Sequence, residues 1–355
     1  MKNELFWLWG FNIIVNSFLT FLTVGTLTLI LVKVLRMGRT RLRAILLALP
    51  LLKIVIDLFL YDFASWALVA NINPIESESG SRLLSAWLAF PHSTFPFFPL
   101  TTGVQLSLNS GQTFTPADLI ALCLNPLWIR ATTLFMASIS IILGGIWLYR
   151  LYQSVRSVKE ILCASTPCSR PIVNGPLSLE LQKLKIELRA SSVVQIPCAA
   201  GLVHRRILFP ADLIAKVSQD EFEAIVAHEI GHVVWHDTMA RLAARFVATL
   251  FWWIPVAWWC RHLEQAQEEA CDRGISRFGL SRIALAAALL KVAKGAIVAP
   301  SQPLCGLVHT SSVARRIRIM TQKREEKEAK SLLWLRGCLA GVVTMTFLFG
   351  KFWIF

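Results

Sequence analysis

The 355-residue chain has little charge: Asp, Glu, Lys and Arg make up 16% of it, against about a quarter in soluble domains. Acidic residues are the scarcer sign, 22 against 36 Lys and Arg. A purely soluble protein is excluded, and so is a disordered one, because 55% of the residues are hydrophobic and the aromatics include 13 Trp and 21 Phe. The 8 cysteines form no Cys-x-x-Cys pair and have none of the dense spacing of a disulfide framework, so they read as reduced thiols. The net charge of +14 lies beside apolar runs, as in cytoplasmic membrane flanks, which argues against direct nucleic-acid binding.

What the chain does have is long apolar runs. A membrane-spanning helix needs about 20 apolar residues. Four stretches qualify: Ile13 to Val32, Ala44 to Leu60 (interrupted by Lys53 and Asp57), Ala131 to Leu148, and Leu332 to Phe349. Lys33, Arg36, Arg39, Arg41 and Arg43 make the first link cytoplasmic, which places the N-terminus outside. The segment from Tyr61 to Arg130, nearly free of Lys and Arg, then faces outside. Arg150, Arg156 and Lys159 return the chain to the cytoplasm. The start reads as a signal anchor, since the first apolar run has no small-residue cleavage site and ends in a basic cluster. Lys53 and Asp57, one helical turn apart, can neutralise each other within the membrane. Intramembrane charges are functional candidates, and the plain alternative is a salt bridge facing neighbouring helices.

The resulting organisation is a transmembrane hairpin (1–60), an extracytoplasmic loop (61–130), a third span (131–149), a cytoplasmic domain (150–330) and a fourth span (331–355). The cytoplasmic domain reads as α+β. A short amphipathic helix is expected over Leu177 to Leu188, and a β-hairpin from Ser192 to Pro197 and Val203 to Phe209. Ser218 with Glu221 is a capping box that opens a helix running through Val234.

That helix carries His228-Glu229-Ile230-Gly231-His232. Histidines at i and i+4 lie on one face, about 5–6 Å apart at Cβ, so both rings can reach one ion, with the intervening Glu229 placed to act as general base. A third ligand is available on a second helical stretch, where Glu268 and Asp272 share a face. Glu268 completes a His, His, Glu set, and Asp272 can accept the free ring N–H of a ligand histidine. The competing candidate, Glu269, points about 100° away. Asp237, just past the motif helix, reads on its own as a cap for the following helix. No oxyanion-stabilising residue stands out: His236, His262 and Arg273 are candidates that read equally as surface or packing residues. The apolar stretch Phe251 to Trp259 is too short to span and contains Pro255. It either dips into the cytoplasmic leaflet or forms plain domain core. Arg315 to Lys330, with seven Lys or Arg, reads as a topology signal or a binder of anionic lipid.

The run His228 to Asp237 followed by Glu268 to Asp272 resembles the integral-membrane gluzincins, and most of all the BlaR/MecR-type signal-transducer peptidases. Arg206 to Pro210 ahead of the motif, the aromatic stretch after it, Arg315-Arg316-Ile317 and the order of spans also fit. The related HtpX and CaaX-processing peptidases share the motifs and place apolar hairpins between them. The family's penicillin-binding sensor has no counterpart before Phe355, so the resemblance covers the peptidase half.

The resemblance implies a multi-pass α-helical plasma-membrane protein with an inserted α+β cytoplasmic gluzincin domain. One Zn²⁺ would be held by His228, His232 and Glu268, with Glu229 as base and Asp272 and Asp237 behind the ligands. The expected activity is endoproteolysis of a cytosolic regulator in an antirepressor role. The alternatives are quality-control proteolysis of membrane proteins and a noncatalytic signalling scaffold that keeps the zinc fold.

Overall fold

The computed structural model describes residues 2–34, 41–58, 106–107, 113–114, 126–201, 205–298, 310–321, 337 and 341. Most of the loop expected over 61–130, the fourth span and residues 322–330 of the basic segment lie outside the described residues. Within that loop, β1 (Leu106–Ser107) pairs antiparallel with β2 (Thr113–Phe114).

Two helices among the described residues are long and apolar enough to cross a membrane: Ile13–Val34 within α1 (Lys2–Val34) and Leu127–Ala164 within α3 (Pro126–Ala164). The helix expected as the second span, α2 (Arg41–Asp57), runs 17 residues and contains Pro50. It packs against α1, where Lys53 Nζ lies 2.7 Å from Asp57 Oδ1 and Thr20 Oγ1 donates to Asp57 Oδ2 at 3.2 Å. α3 leaves Leu134, Phe135, Ile141, Ile142 and Tyr149 exposed, an apolar surface unfavourable in water.

After α3 come β3 (Thr166–Pro167) and α4 (Gly175–Leu184). α4 is opened by Asn174, whose side chain accepts from Leu177 N–H, and it stops at Lys185 in the left-handed region (φ 52°), short of the expected end at Leu188. The sheet, ordered β3-β4-β6-β5, differs from the expected hairpin. β4 (Glu187–Ser191) runs parallel to β6 (Arg206–Pro210), and the antiparallel partner of β6 is β5 (Cys198–Ala200). Residues 192–197, read as the first hairpin strand, bend between sheet strands instead. Their apolar residues pack without joining the ladder: Val194 is buried, and Ile196 packs against the domain core.

Helices α5 (Ala211–Lys216), α6 (Gln219–Val234), α7 (Asp237–Leu250), α8 (Val256–Gly274), α9 (Arg282–Val298) and α10 (Thr310–Thr321) follow. They serve two cores. One joins the sheet to α6 and α9 through Ile207, Phe209, Phe222, Ile230, Ile275 and Leu285. The other joins α1 and α2 to the α7–α8 hairpin through Phe21, Leu47, Ile54, Val247, Trp259 and Leu263.

The second core takes in the aromatic stretch. Phe251–Trp259 forms the tip of the α7–α8 hairpin, wedged among the apolar helices. Trp259 meets Phe21 edge-on at 5.4 Å and donates its indole N–H to Leu47 O at 2.6 Å. Ser140 Oγ of α3 donates to Leu250 O at 2.8 Å, and Trp147 packs on Phe246.

Candidate metal centre

The motif helix starts as the sequence predicts. Ser218 Oγ accepts from Glu221 N–H at 3.2 Å while Glu221 Oε2 accepts from Ser218 N–H at 2.7 Å. From Glu221 to Ile230 every residue is buried, so His228 and Glu229 are held by a helix packed on several sides. Gly231 admits α8: a Cβ there would stand 2.8 Å from Cys271 Sγ. This close approach brings Glu268 to the histidines.

The donor atoms converge. His228 Nε2 and His232 Nε2 are 3.2 Å apart, and Glu268 Oε2 and Oε1 lie 3.4 Å from them respectively. A tetrahedral ion with bonds of 2.0–2.2 Å spaces its ligands by about 3.3–3.6 Å. The opposite ring atoms are also engaged, with His228 Nδ1 lying 3.1 Å from Asp272 Oδ1 and His232 Nδ1 lying 2.7 Å from Asp237 Oδ2. The Asp237 hydrogen bond favours the His232 tautomer that leaves its Nε2 lone pair free, and Asp272 places a second carboxylate beside His228 Nδ1, while both Nε2 atoms face one point. The residues present therefore fit a divalent cation. Charge agrees: Glu229, Glu268, Asp272 and Asp237 against Arg41, Arg241 and Arg316 leave one net negative charge when both rings are neutral.

Glu229 lies apart from this trio, 8% exposed, and its Oε2 accepts the Ala199 N–H of edge strand β5 at 3.0 Å. Glu269, the competing third ligand, faces away and is clamped by Arg43 at 3.0 Å and Arg315 at 2.8 Å. Asp237 does not cap α7. Its helix is preceded by His236 in the left-handed region, and the Asp237 carboxylate is buried against His232 and Arg41. Of the oxyanion candidates, His262 stacks on Trp258 at 4.2 Å and Arg273 accepts through its carbonyl from Ser276 Oγ.

Three arginines at the centre carry roles that sequence reasoning missed. Arg241 donates to Glu268 Oε1 at 2.6 Å, and Arg316 Nη1 lies 2.8 Å from Glu268 Oε2. Arg316 also forks onto Asp272 at 2.6 and 2.8 Å and comes within 3.4 Å of His228 Nε2. Arg41 Nη1 reaches both Asp237 oxygens at 2.8 Å. Only the Arg315-Arg316 dipeptide gave a signal, as part of the family pattern.

Burial opposes ionisation of Glu268 and Asp272, and Arg316 together with the neighbouring histidines outweighs it, leaving Glu268 well below the usual carboxylate range and Asp272 lowered. Burial likewise opposes a proton on His228, but Asp272 and Glu268 carry its pKa up to about 9. His232 is raised as well, against its burial, by Cys271, Glu268 and Asp237. A second trio of ligand-type atoms, His232, Asp237 and Cys271, also lies close together. The Arg41 guanidinium sits against Asp237 and against Cys271 Sγ at 2.5 Å, so a cation already serves that position.

Over 130 residues the chain is 24% identical to the methicillin resistance mecR1 protein of Staphylococcus aureus, strain Mu50 included, and to that of Staphylococcus epidermidis. The match covers 36% of this chain and 22% of the relatives, so it spans about a fifth of their length. Residues 120–320 match the family model described as BlaR1 peptidase M56. With more than half its length matched, the chain belongs to the BlaR1 peptidase M56 family and is a metallopeptidase-type protein.

Proposed function

We propose that this chain is a membrane-embedded zinc endopeptidase that hydrolyses peptide bonds of a protein substrate, with its catalytic domain on the cytoplasmic side. The observation that carries the reading is the convergence of His228 Nε2, His232 Nε2 and the Glu268 carboxylate at 3.2–3.4 Å, each ring backed by its own carboxylate.

His228, His232 and Glu268 would hold the ion. When bound, zinc supplies a water of lowered pKa and polarises the scissile carbonyl. Glu229 takes the proton from the attacking water and delivers it to the leaving amine, so water adds across the C–N bond. The Ala199 N–H orients the Glu229 carboxylate. Arg316, anchored on Glu268 and Asp272, lies on the ion's side of the site and places positive charge near developing negative charge on the substrate.

The position of the site favours substrates at or near the bilayer. Trp259 sits among the apolar helices and Glu268 follows nine residues later on the same helix, about 14 Å along its axis. A signalling role fits the mecR1 relatives: an outside stimulus reaches the domain through the spans, and a cytosolic regulator is cut. Quality-control cleavage of membrane proteins is the second reading, favoured by the packing of the α7–α8 hairpin tip against the apolar helices.

The test uses the full chain in detergent, with zinc content measured and a co-expressed candidate regulator as substrate. Wild type should hold one zinc and cut, while Glu229→Gln should hold zinc and not cut. Equal cleavage by both variants, or zinc-loaded wild type that cuts neither regulator nor membrane substrates, overturns the enzyme reading and leaves a signalling scaffold.

A further inference from the structure

The basic start of α2 reads from sequence as a topology signal, yet its side chains turn inward to the metal centre. Arg41 Nη1 donates to both oxygens of Asp237 at 2.8 Å, and Nη2 reaches Cys271 Sγ at 2.5 Å and Gly231 O at 3.4 Å. Its guanidinium also lies over the Trp235 ring at 5.4 Å. The Arg41 side chain is only 15% exposed and that of Asp237 only 5%, so this pair is not a screened surface bridge. Asp237 Oδ2 is shared between Arg41 and His232 Nδ1 at 2.7 Å. Two residues on, Arg43 grips Glu269, the neighbour of the third ligand. α2 is itself fixed among the apolar helices by the Trp259 to Leu47 hydrogen bond and the Thr20 to Asp57 hydrogen bond.

We propose that Arg41 is a positioning residue that ties α2 to metal ligand His232 through Asp237, so that the seating of α2 against the apolar helix α1 sets the geometry of the metal centre. The inference rests on the zinc-site reading above. Arg41 holds the carboxylate in one place with two hydrogen bonds from a single nitrogen. The carboxylate in turn fixes the His232 ring and keeps its Nδ1 proton. Without Arg41, Asp237 keeps His232 as its ring partner but loses the cation that fixes it, and the ring gains freedom about its own axis. Cys271 Sγ lies 3.3 Å from His232 Nδ1 and offers a weaker alternative partner to which the ring can drift.

The experiment compares full-length wild type, Arg41→Met, Arg41→Lys, Asp237→Asn and the Arg41→Met/Asp237→Asn double variant in detergent. Zinc affinity is read by chelator competition, and ligand geometry by the visible spectrum of the cobalt-substituted protein. Arg41→Met should weaken zinc binding about 10- to 100-fold and shift the cobalt spectrum. Arg41→Lys should restore part of the affinity, and Arg41→Met should add less than about twofold on the Asp237→Asn background, because both act on the same ring. Arg245→Met, which breaks the exposed pair with Glu264, should leave zinc affinity and the spectrum at wild-type values. Wild-type affinity and spectrum in Arg41→Met, with only a lower melting temperature, would overturn the proposal, as would fully additive losses in the double variant. If Arg41→Met does not fold, Arg41→Lys decides by the same two readouts: wild-type values in both Arg41→Lys and Asp237→Asn overturn the proposal. A wild type that takes up no zinc overturns the metal-site reading, and this inference with it.

Discussion

One helix, α8, lives in two environments. Its first half buries Val256, Trp259, Cys260 and Leu263 against α1 and α2, with one hydrogen bond, Trp259 to Leu47 O, as the directional contact. Its second half buries Gln267, Glu269 and Asp272, with Glu268 partly covered. Each of these four is held by an arginine: Arg241 on Gln267 and Glu268, Arg43 and Arg315 on Glu269, Arg316 on Glu268 and Asp272. The apolar half is stabilised by area, which tolerates a change of shape. The charged half is stabilised by pairing, where removing one partner strands a buried charge. A helix built this way anchors at one end and positions chemistry at the other.

The sharpest functional test of the centre that the charged half serves is Glu229→Gln, on the facing helix α6. Removing the base should lower turnover by about 10²–10⁴-fold with zinc content unchanged, read by cleavage assay and metal analysis. The counterpart in the apolar half is Trp259→Ala. Loss of the ring against Phe21 and of the bond to Leu47 should cost about 3–5 kcal/mol, seen as a lower melting temperature of metal-free protein in detergent.

pH separates the halves without mutation. In metal-free protein the His228 pKa is raised from 6.5 to about 9. The proton on that ring therefore stabilises the fold fully below pH 6.5, and this contribution, on the order of 3 kcal/mol, is lost as pH rises through about 9. Zinc needs the neutral ring, so the rise in melting temperature on zinc binding should grow between pH 6.5 and 9. A pH-independent rise would mean that His228 is not displaced from its proton by the metal.

Asp272→Asn tests the pairing more gently. The amide keeps the shape but loses the charge shared by His228 and Arg316, and zinc affinity should fall about 10- to 100-fold with little change in the apolar core. A smaller loss than that from Asp237→Asn would rank the two ring-backing carboxylates.

Sequence periodicity made much of the site legible. Local spacing alone put His228 and His232 on one face and Glu268 with Asp272 on another, because i and i+4 neighbours on a helix are fixed by its pitch. The capping box was legible for the same reason. The strand pairing was not, since the partners of β6 were chosen by tertiary packing and not by the apolar run at 192–197. The partners of the three central arginines were invisible because a charge carries no record of its partner. Arg41 stands 196 positions from Asp237, and Arg316 stands 44 from Asp272.

Composition and short-range pattern thus determined that the chain is strongly apolar, where its metal-type residues lie and which helices carry them. Only the tertiary structure decided that Phe251 to Trp259 would wedge among the apolar helices and that the basic start of α2 would turn toward His232. Local helix geometry is written in neighbouring residues, whereas the partners of a buried charge depend on which distant segments the fold brings together.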